Sequence, residues 1–162
     1  MTSESNGLQS GPDIDAEEEL PNWHVSVETD DGLGVGDTVT FSKTISDDDV
    51  RRFAAASGDT NPIHLDDDFA SETRFGGRIS HGMLVAGLIS AALARLPGLT
   101  IYLSQDLEFT APVRIGDRVT AECEIVEDLD HDQYRLSTTV TDDDEVVVDG
   151  EATVLVDDRP DE

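Results

Sequence analysis

The sequence predicts an α+β domain in which an antiparallel sheet curls around one buried helix. Two observations predict it. Residues 79–96 are small or aliphatic on nearly every face, and a helix that is apolar all round is one buried on all sides. After Gly98 the chain turns to alternating apolar and polar runs divided by short acidic turns, the pattern of antiparallel neighbours. A chain of 162 residues holds one domain with a sizeable core.

Residues 1–33 are polar and acidic and read as a disordered tail, with Trp23 and Val25 as apolar anchors able to dock on the body. The domain itself spans residues 34–157, and residues 158–162 form a second acidic tail. Its first strand is the β-branched, alternating run 38–45. Ser46 before three aspartates is a helix N-terminus, since the hydroxyl can cap and the carboxylates complement the dipole. Val50, Phe53, Ala54 and Ser57 share one face of that helix, which ends at Gly58. A polar turn follows, then a short acidic helical segment from Asp66 and a flexible Phe75-Gly76-Gly77-Arg78 connection. The buried helix, residues 79–96, is stopped by Pro97-Gly98. Strands are expected over residues 100–113, 118–126, 133–141 and 145–156, with turns at 128–132 and 142–144.

The chemistry concentrates in Ser57-Gly58-Asp59-Thr60-Asn61-Pro62-Ile63-His64. Pro62 fixes its own φ and pushes Asn61 towards extended geometry, and Asn61 can brace the turn through local backbone. Such a turn can aim the Asp59 carboxylate and the His64 imidazole into one space, where they could hold a water and exchange its protons. Taken singly, Asp59 reads as a turn residue and His64 as a surface histidine; the whole octapeptide beside an apolar helix does not. His81-Gly82 opens the buried helix, where free backbone N–H groups and the positive dipole end suit a developing oxyanion. His81 itself reads first as a satisfied buried histidine or a cap. Ser90 reads as a small core residue or as a polar group on a pocket wall.

Residues 53–64, Phe75-Gly76-Gly77-Arg78-Ile79-Ser80-His81-Gly82-Met83 and the stretch 101–117 together resemble the MaoC-like (R)-specific enoyl-CoA hydratases. The resemblance covers roughly residues 35–156. It implies the hot-dog fold, a sheet wrapped around one long helix, in a homodimer that binds acyl-CoA near its interface. It implies reversible syn addition of water to a trans-2-enoyl-CoA, giving the (R)-3-hydroxyacyl-CoA, in fatty-acid or polyhydroxyalkanoate metabolism. Asp59 and His64 match the catalytic pair, and Gly82 the backbone N–H that polarises the thioester carbonyl. Ser90 and Asn61 match positions on the substrate side, Ser90 in the pocket and Asn61 bracing the turn. No cofactor or metal is implied. Hydration of a branched or dicarboxylic enoyl-CoA, a non-catalytic acyl-CoA-binding module and a thioesterase share the same fold and stay open. Arg74, Arg78 and Arg114 are candidates to meet the phosphates of coenzyme A.

The formal net charge is −27, and Lys43 is the only lysine. That charge argues against nucleic acid or an anionic membrane as partner. Cys123 is alone, which leaves no intrachain disulfide and no cysteine metal cluster. No basic-then-apolar leader opens the sequence and no uncharged run is long enough to span a bilayer, so the expected location is cytoplasmic. The acidic, lysine-poor surface resembles haloarchaeal proteins. Salt at 1 M shortens the screening length to about 3 Å and relieves its self-repulsion. Circular dichroism and activity are therefore expected to be retained in molar salt and lost on dialysis into dilute buffer; retention there would overturn the halophilic reading.

Overall fold

The structure, a computed structural model, describes residues 13–160. Its elements are β1 (His24–Glu28), β2 (Thr38–Thr44), α1 (Asp47–Ser57), α2 (Pro62–Leu65), α3 (Asp67–Ser71) and α4 (Gly82–Leu93). Then come β3 (Leu99–Gln105), β4 (Glu108–Phe109), β5 (Arg118–Asp130), β6 (Gln133–Asp142) and β7 (Glu145–Asp157). The strands form one antiparallel sheet in the order β1-β2-β5-β6-β7-β3, and β4 also pairs with β7. α4 lies against β2, β5, β6 and β7, the arrangement of the hot-dog fold.

Pairing register aligns the inward rows. Val39 faces Cys123, Phe41 faces Ala121, and Ala121 in turn faces Val140. These side chains meet Val85, Leu88, Ile89, Ala92 and Leu93 of α4 in one core. Alternation along β5 puts Val119, Ala121, Cys123 and Ile125 inside, with Arg118, Glu122 and Glu124 outside, as a half-buried strand requires. Burial raises the Cys123 thiol to about 12, helped by the charge of Glu122, so it is an inert core group.

Three sequence expectations change. Within the stretch read as tail, His24–Glu28 is a strand on the outer edge of β2, with Val25 opposite Phe41. Trp23 meets Phe41 edge-on at 5.1 Å. The gain is twofold: the β2 edge finds backbone partners and the indole finds apolar cover. Residues 1–12 and 161–162 of the expected tails lie outside the described residues. Second, α4 starts at Gly82, because His81 before it is extended (φ −59°, ψ 134°) and the N–H groups of Ile79 and Ser80 are tied to Ile63 and Val113. It ends at Leu93, short of the expected boundary. Third, α4 is not buried all round. The sheet covers one side only, and Met83, Gly87, Ser90 and Ala94 form an exposed face at helical spacing.

The expected helix start is built as read. Ser46 Oγ accepts from Asp49 N and Asp49 accepts from Ser46 N, both at 3.0 Å, a reciprocal capping box. Gly58 ends α1 at φ 83°, where a side chain would be strained. At Gly150 the cause is different. A Cβ there would collide with the Asp106 carbonyl oxygen, because the β3–β4 connection runs close against β7.

The β5–β6 end carries an unfavourable carboxylate group. Burial raises Asp142 to about 6 from 3.8, reinforced by its hydrogen bond to Asp117 and the charges of Asp117, Asp143 and Glu145. The folded state therefore binds this proton more tightly than the unfolded chain. Stability is lost as pH rises between these two values, and Asp142 remains a liability above pH 6. Asp142→Asn is expected to raise Tm by about 2 °C at pH 8 in constant salt. The gain should vanish below pH 4 in a thermal melt series.

Candidate active site

The site is assembled from two segments, the turn after α1 and the entry to α4. In the turn, short polar bonds follow one another. Asp59 N donates to Ser57 Oγ at 3.1 Å, Asn61 N to Asp59 Oδ1 at 3.3 Å, and Ile63 N to Asn61 Oδ1 at 3.2 Å. Pro62 is the first residue of α2 and Asn61 is its N-cap, a position where proline lacks nothing. The sequence anticipates the turn but not α2, the helical turn that carries His64 inward. Arg78 holds α2 from outside: its Nε donates to the His64 carbonyl at 2.7 Å and its Nη2 bonds Asp47 at 2.5 Å. Hydrogen bonds from Arg78 and then Arg51 keep the Asp47 carboxyl below its usual range.

Two imidazoles tie the segments together in opposite directions. His64 Nδ1–H, from the turn, donates to the Ile79 carbonyl at 2.8 Å. His81 Nε2–H, from the α4 entry, donates to the Asp59 carbonyl at 2.9 Å. Because a carbonyl only accepts, both tautomers are defined by their partners. The rings stack at 3.9 Å with 31° between planes, and the Phe53 ring lies 4.8 Å from that of His81 at 57°. His64 and His81 are buried while Asp59 is exposed. His81 is the N-cap residue of α4 yet makes no side-chain cap bond, and its Nδ1 is buried without a partner.

Asp59, His64 and Gly82 line one cavity of about 530 Å³, together with Arg74, Phe109 and Pro112. Nε2 of His64 remains for whatever enters. Gly82 is the first residue of α4, so no carbonyl one turn back accepts its N–H. Its missing side chain is also a packing requirement: a Cβ would sit 2.8 Å from the Phe109 ring. The cavity thus presents a carboxylate, an imidazole and a helix N-terminus to one volume, which suits proton transfer beside a developing negative charge.

Asp59, His64 and His81 each offer one ligand-type atom within 4.8 Å of the others. The other sequence candidates disperse. Asn61 is occupied as a cap and is not on the cavity wall. Ser90 lies about 12 Å along α4 from Gly82 and borders a second cavity of about 410 Å³ with Tyr102 and Leu103. Met83 lines both cavities. Among the three arginine candidates, Arg78 is engaged as above, Arg114 bonds the Phe75 carbonyl, and Arg74 stands on the wall. Phe109 as the cover of Gly82 was not legible, since nothing local relates a residue of β4 to the start of α4.

A curled sheet around one helix defines the class as a hot-dog protein, and its relatives make it a hydro-lyase of that fold. The chain belongs to the MaoC-like domain family, whose pattern it matches over residues 33–147. It is similar to a 3-hydroxybutyryl-CoA dehydratase of Methylorubrum extorquens, 52% identical over 76% of this chain and 81% of that one. It is also similar to an (R)-specific enoyl-CoA hydratase of Rhodospirillum rubrum, 48% identical over 75% and 86%. Among solved structures, the unliganded R-hydratase PhaJ1 of Pseudomonas aeruginosa superposes with TM-score 0.74 at 44% identity, covering 78% of this chain and 84% of that one.

Proposed function

We propose that this protein is an (R)-specific enoyl-CoA hydratase of fatty-acid or polyhydroxyalkanoate metabolism, working in a salt-rich cytoplasm. The observation that carries the reading is the shared cavity of Asp59, His64 and the Gly82 N–H. Asp59 and His64 hold a water between them. The water oxygen bonds to C3 of the enoyl thioester, one of its O–H bonds breaks, and a proton is delivered to C2 on the same face. Negative charge grows on the thioester oxygen as the C–O bond forms. The Gly82 N–H and the α4 dipole face that oxygen and stabilise it. The addition of water is redox-neutral, so the step draws on Asp59, His64 and the Gly82 N–H without an oxidant or reductant. Ser90, in the neighbouring cavity, and the braced turn at Asn61 serve substrate binding, the former by contact and the latter by holding Asp59.

Two copies are proposed to act together. Among the described residues β3 ends the sheet with one edge unpaired, and Ile101, Tyr102 and Leu103 on it are exposed, the last two bordering the bare face of α4. Such an edge invites pairing with an identical strand. No helix among the described residues is long and apolar enough to cross a membrane.

Addition of the protein to crotonyl-CoA in molar salt is expected to remove the enoyl absorbance, and chiral analysis should return the (R)-alcohol. Asp59→Asn and His64→Gln are expected to lower kcat by about 10²–10⁴-fold with unchanged circular dichroism. Full turnover by both variants would remove the proposed site. Light scattering after gel filtration should give twice the mass of 17.5 kDa, and Leu103→Glu should shift it towards the monomer. A monomeric wild type would reject the dimer.

A further inference from the structure

The acidic character of this chain leaves its few cations occupied. Nine of its ten Lys and Arg side chains donate a hydrogen bond or form an ion pair. Arg52 pairs with Asp48, Lys43 with Asp49 and Arg135 with Glu127. Arg114 and Arg118 donate to the carbonyls of Phe75 and Asn22. Arg74 is the remaining one. Among the described residues its guanidinium touches only the ring of Phe75, 5.3 Å from the centroid.

Arg74 also stands on a cavity wall. It lines the cavity of Asp59, His64 and Gly82. It is exposed, as Asp59 is, whereas His64 is buried, so it stands on the solvent side of the imidazole. Its own segment, between α3 and α4, presents no carboxylate to it, although Asp66, Asp67, Asp68 and Glu72 are close in sequence. An unpaired guanidinium on a surface of net charge −27 keeps its donors free only while better acceptors are absent. The strongest acceptors for that planar fork are phosphate oxygens.

We infer that Arg74 is the phosphate-binding residue of this cavity, holding the nucleotide end of a coenzyme A thioester while the acyl end reaches Asp59 and His64. The inference rests on the hydratase reading and adds a carrier preference to it. A pantetheine arm can also be borne by a small acidic carrier protein. Docking of such a partner needs a basic patch, and here the acidic run 66–68 and Glu72 flank an arginine with no ion pair among the described residues. Like-charge apposition over a whole interface opposes that partner, whereas one bidentate contact suffices for a nucleotide. Because the Debye length in molar salt is about 3 Å, the contact must be direct, and long-range steering contributes nothing there.

The test compares butenoyl-CoA with butenoyl-pantetheine, which has the same acyl group and no phosphate. Both are assayed in molar salt with wild type, Arg74→Ala, Arg74→Lys and, as a remote loss of equal charge, Arg135→Ala. The ratio of kcat/KM for the two substrates is expected to fall about tenfold in Arg74→Ala, chiefly through KM for the CoA ester. Arg74→Lys should recover part of it and Arg135→Ala should match wild type. Butenoyl-dephospho-CoA distinguishes the source: the loss persists with it if the diphosphate is held and disappears if the 3′-phosphate is. An unchanged ratio in Arg74→Ala overturns the inference while leaving a wild type active on both esters as a hydratase. Equal or faster turnover of the butenoyl carrier-protein ester overturns the carrier preference. Inactivity of wild type on every ester removes the hydratase reading and this inference with it.

Discussion

The site depends on a crossed pair of imidazole-to-carbonyl hydrogen bonds. His64 reaches from the turn to the Ile79 carbonyl, and His81 reaches back from the α4 entry to the Asp59 carbonyl. Each bond satisfies a backbone oxygen that would otherwise be left at a loop junction, and together they set the two segments against each other. The stacked rings leave little room for either segment to slide. Asp59 needs this support most, because it is exposed and among the described residues its carboxylate accepts only from the Asn61 N–H. Its backbone, rather than its side chain, is what the fold anchors.

α4 serves the core and the site with different surfaces. Leu88, Ile89, Ala92 and Leu93 face the sheet, while its first turn opens on the cavity through Gly82. Phe109 closes over that glycine at a distance no side chain could share. The connection leading to the short β4 that carries Phe109 approaches β7 closely at Gly150, there a contact of backbone on backbone. Gly82 and Gly150, far apart in the chain, each act by yielding space rather than by bending the chain.

Charge divides the cations of this protein by task. Arg78 spans α1 and α2 through Asp47 and the His64 carbonyl, so a residue at the edge of the site is structural. Arg95 lies over both Trp23 and Phe41 and helps fasten the strand β1 to the body. Arg74 has no such employment. Where carboxylates outnumber cations so heavily, an unpaired arginine is a sharper signal than it would be on a neutral surface.

Much of the molecule was legible in order along the chain. The Ser46 cap, the Gly58 stop, the braced Asn61-Pro62 turn and the alternation of β5 to β7 are decided within a few residues, by hydrogen bonds and side-chain periods that sequence spacing records. The octapeptide 57–64 therefore announced its carboxylate and imidazole directly. Strand β1 was not legible, because its apolar content is two residues and its stability comes from the waiting edge of β2. The bare face of α4 was hidden for a related reason: composition shows that a face is apolar, not whether a sheet is there to cover it. What the sequence alone determined is which groups are present and how the nearest neighbours hold them. Only the tertiary structure decided that Asp59, His64, Gly82 and Arg74 share a cavity while Asn61 and Ser90 stand elsewhere, because convergence depends on contacts between segments whose separation in the chain carries no record of their distance in space.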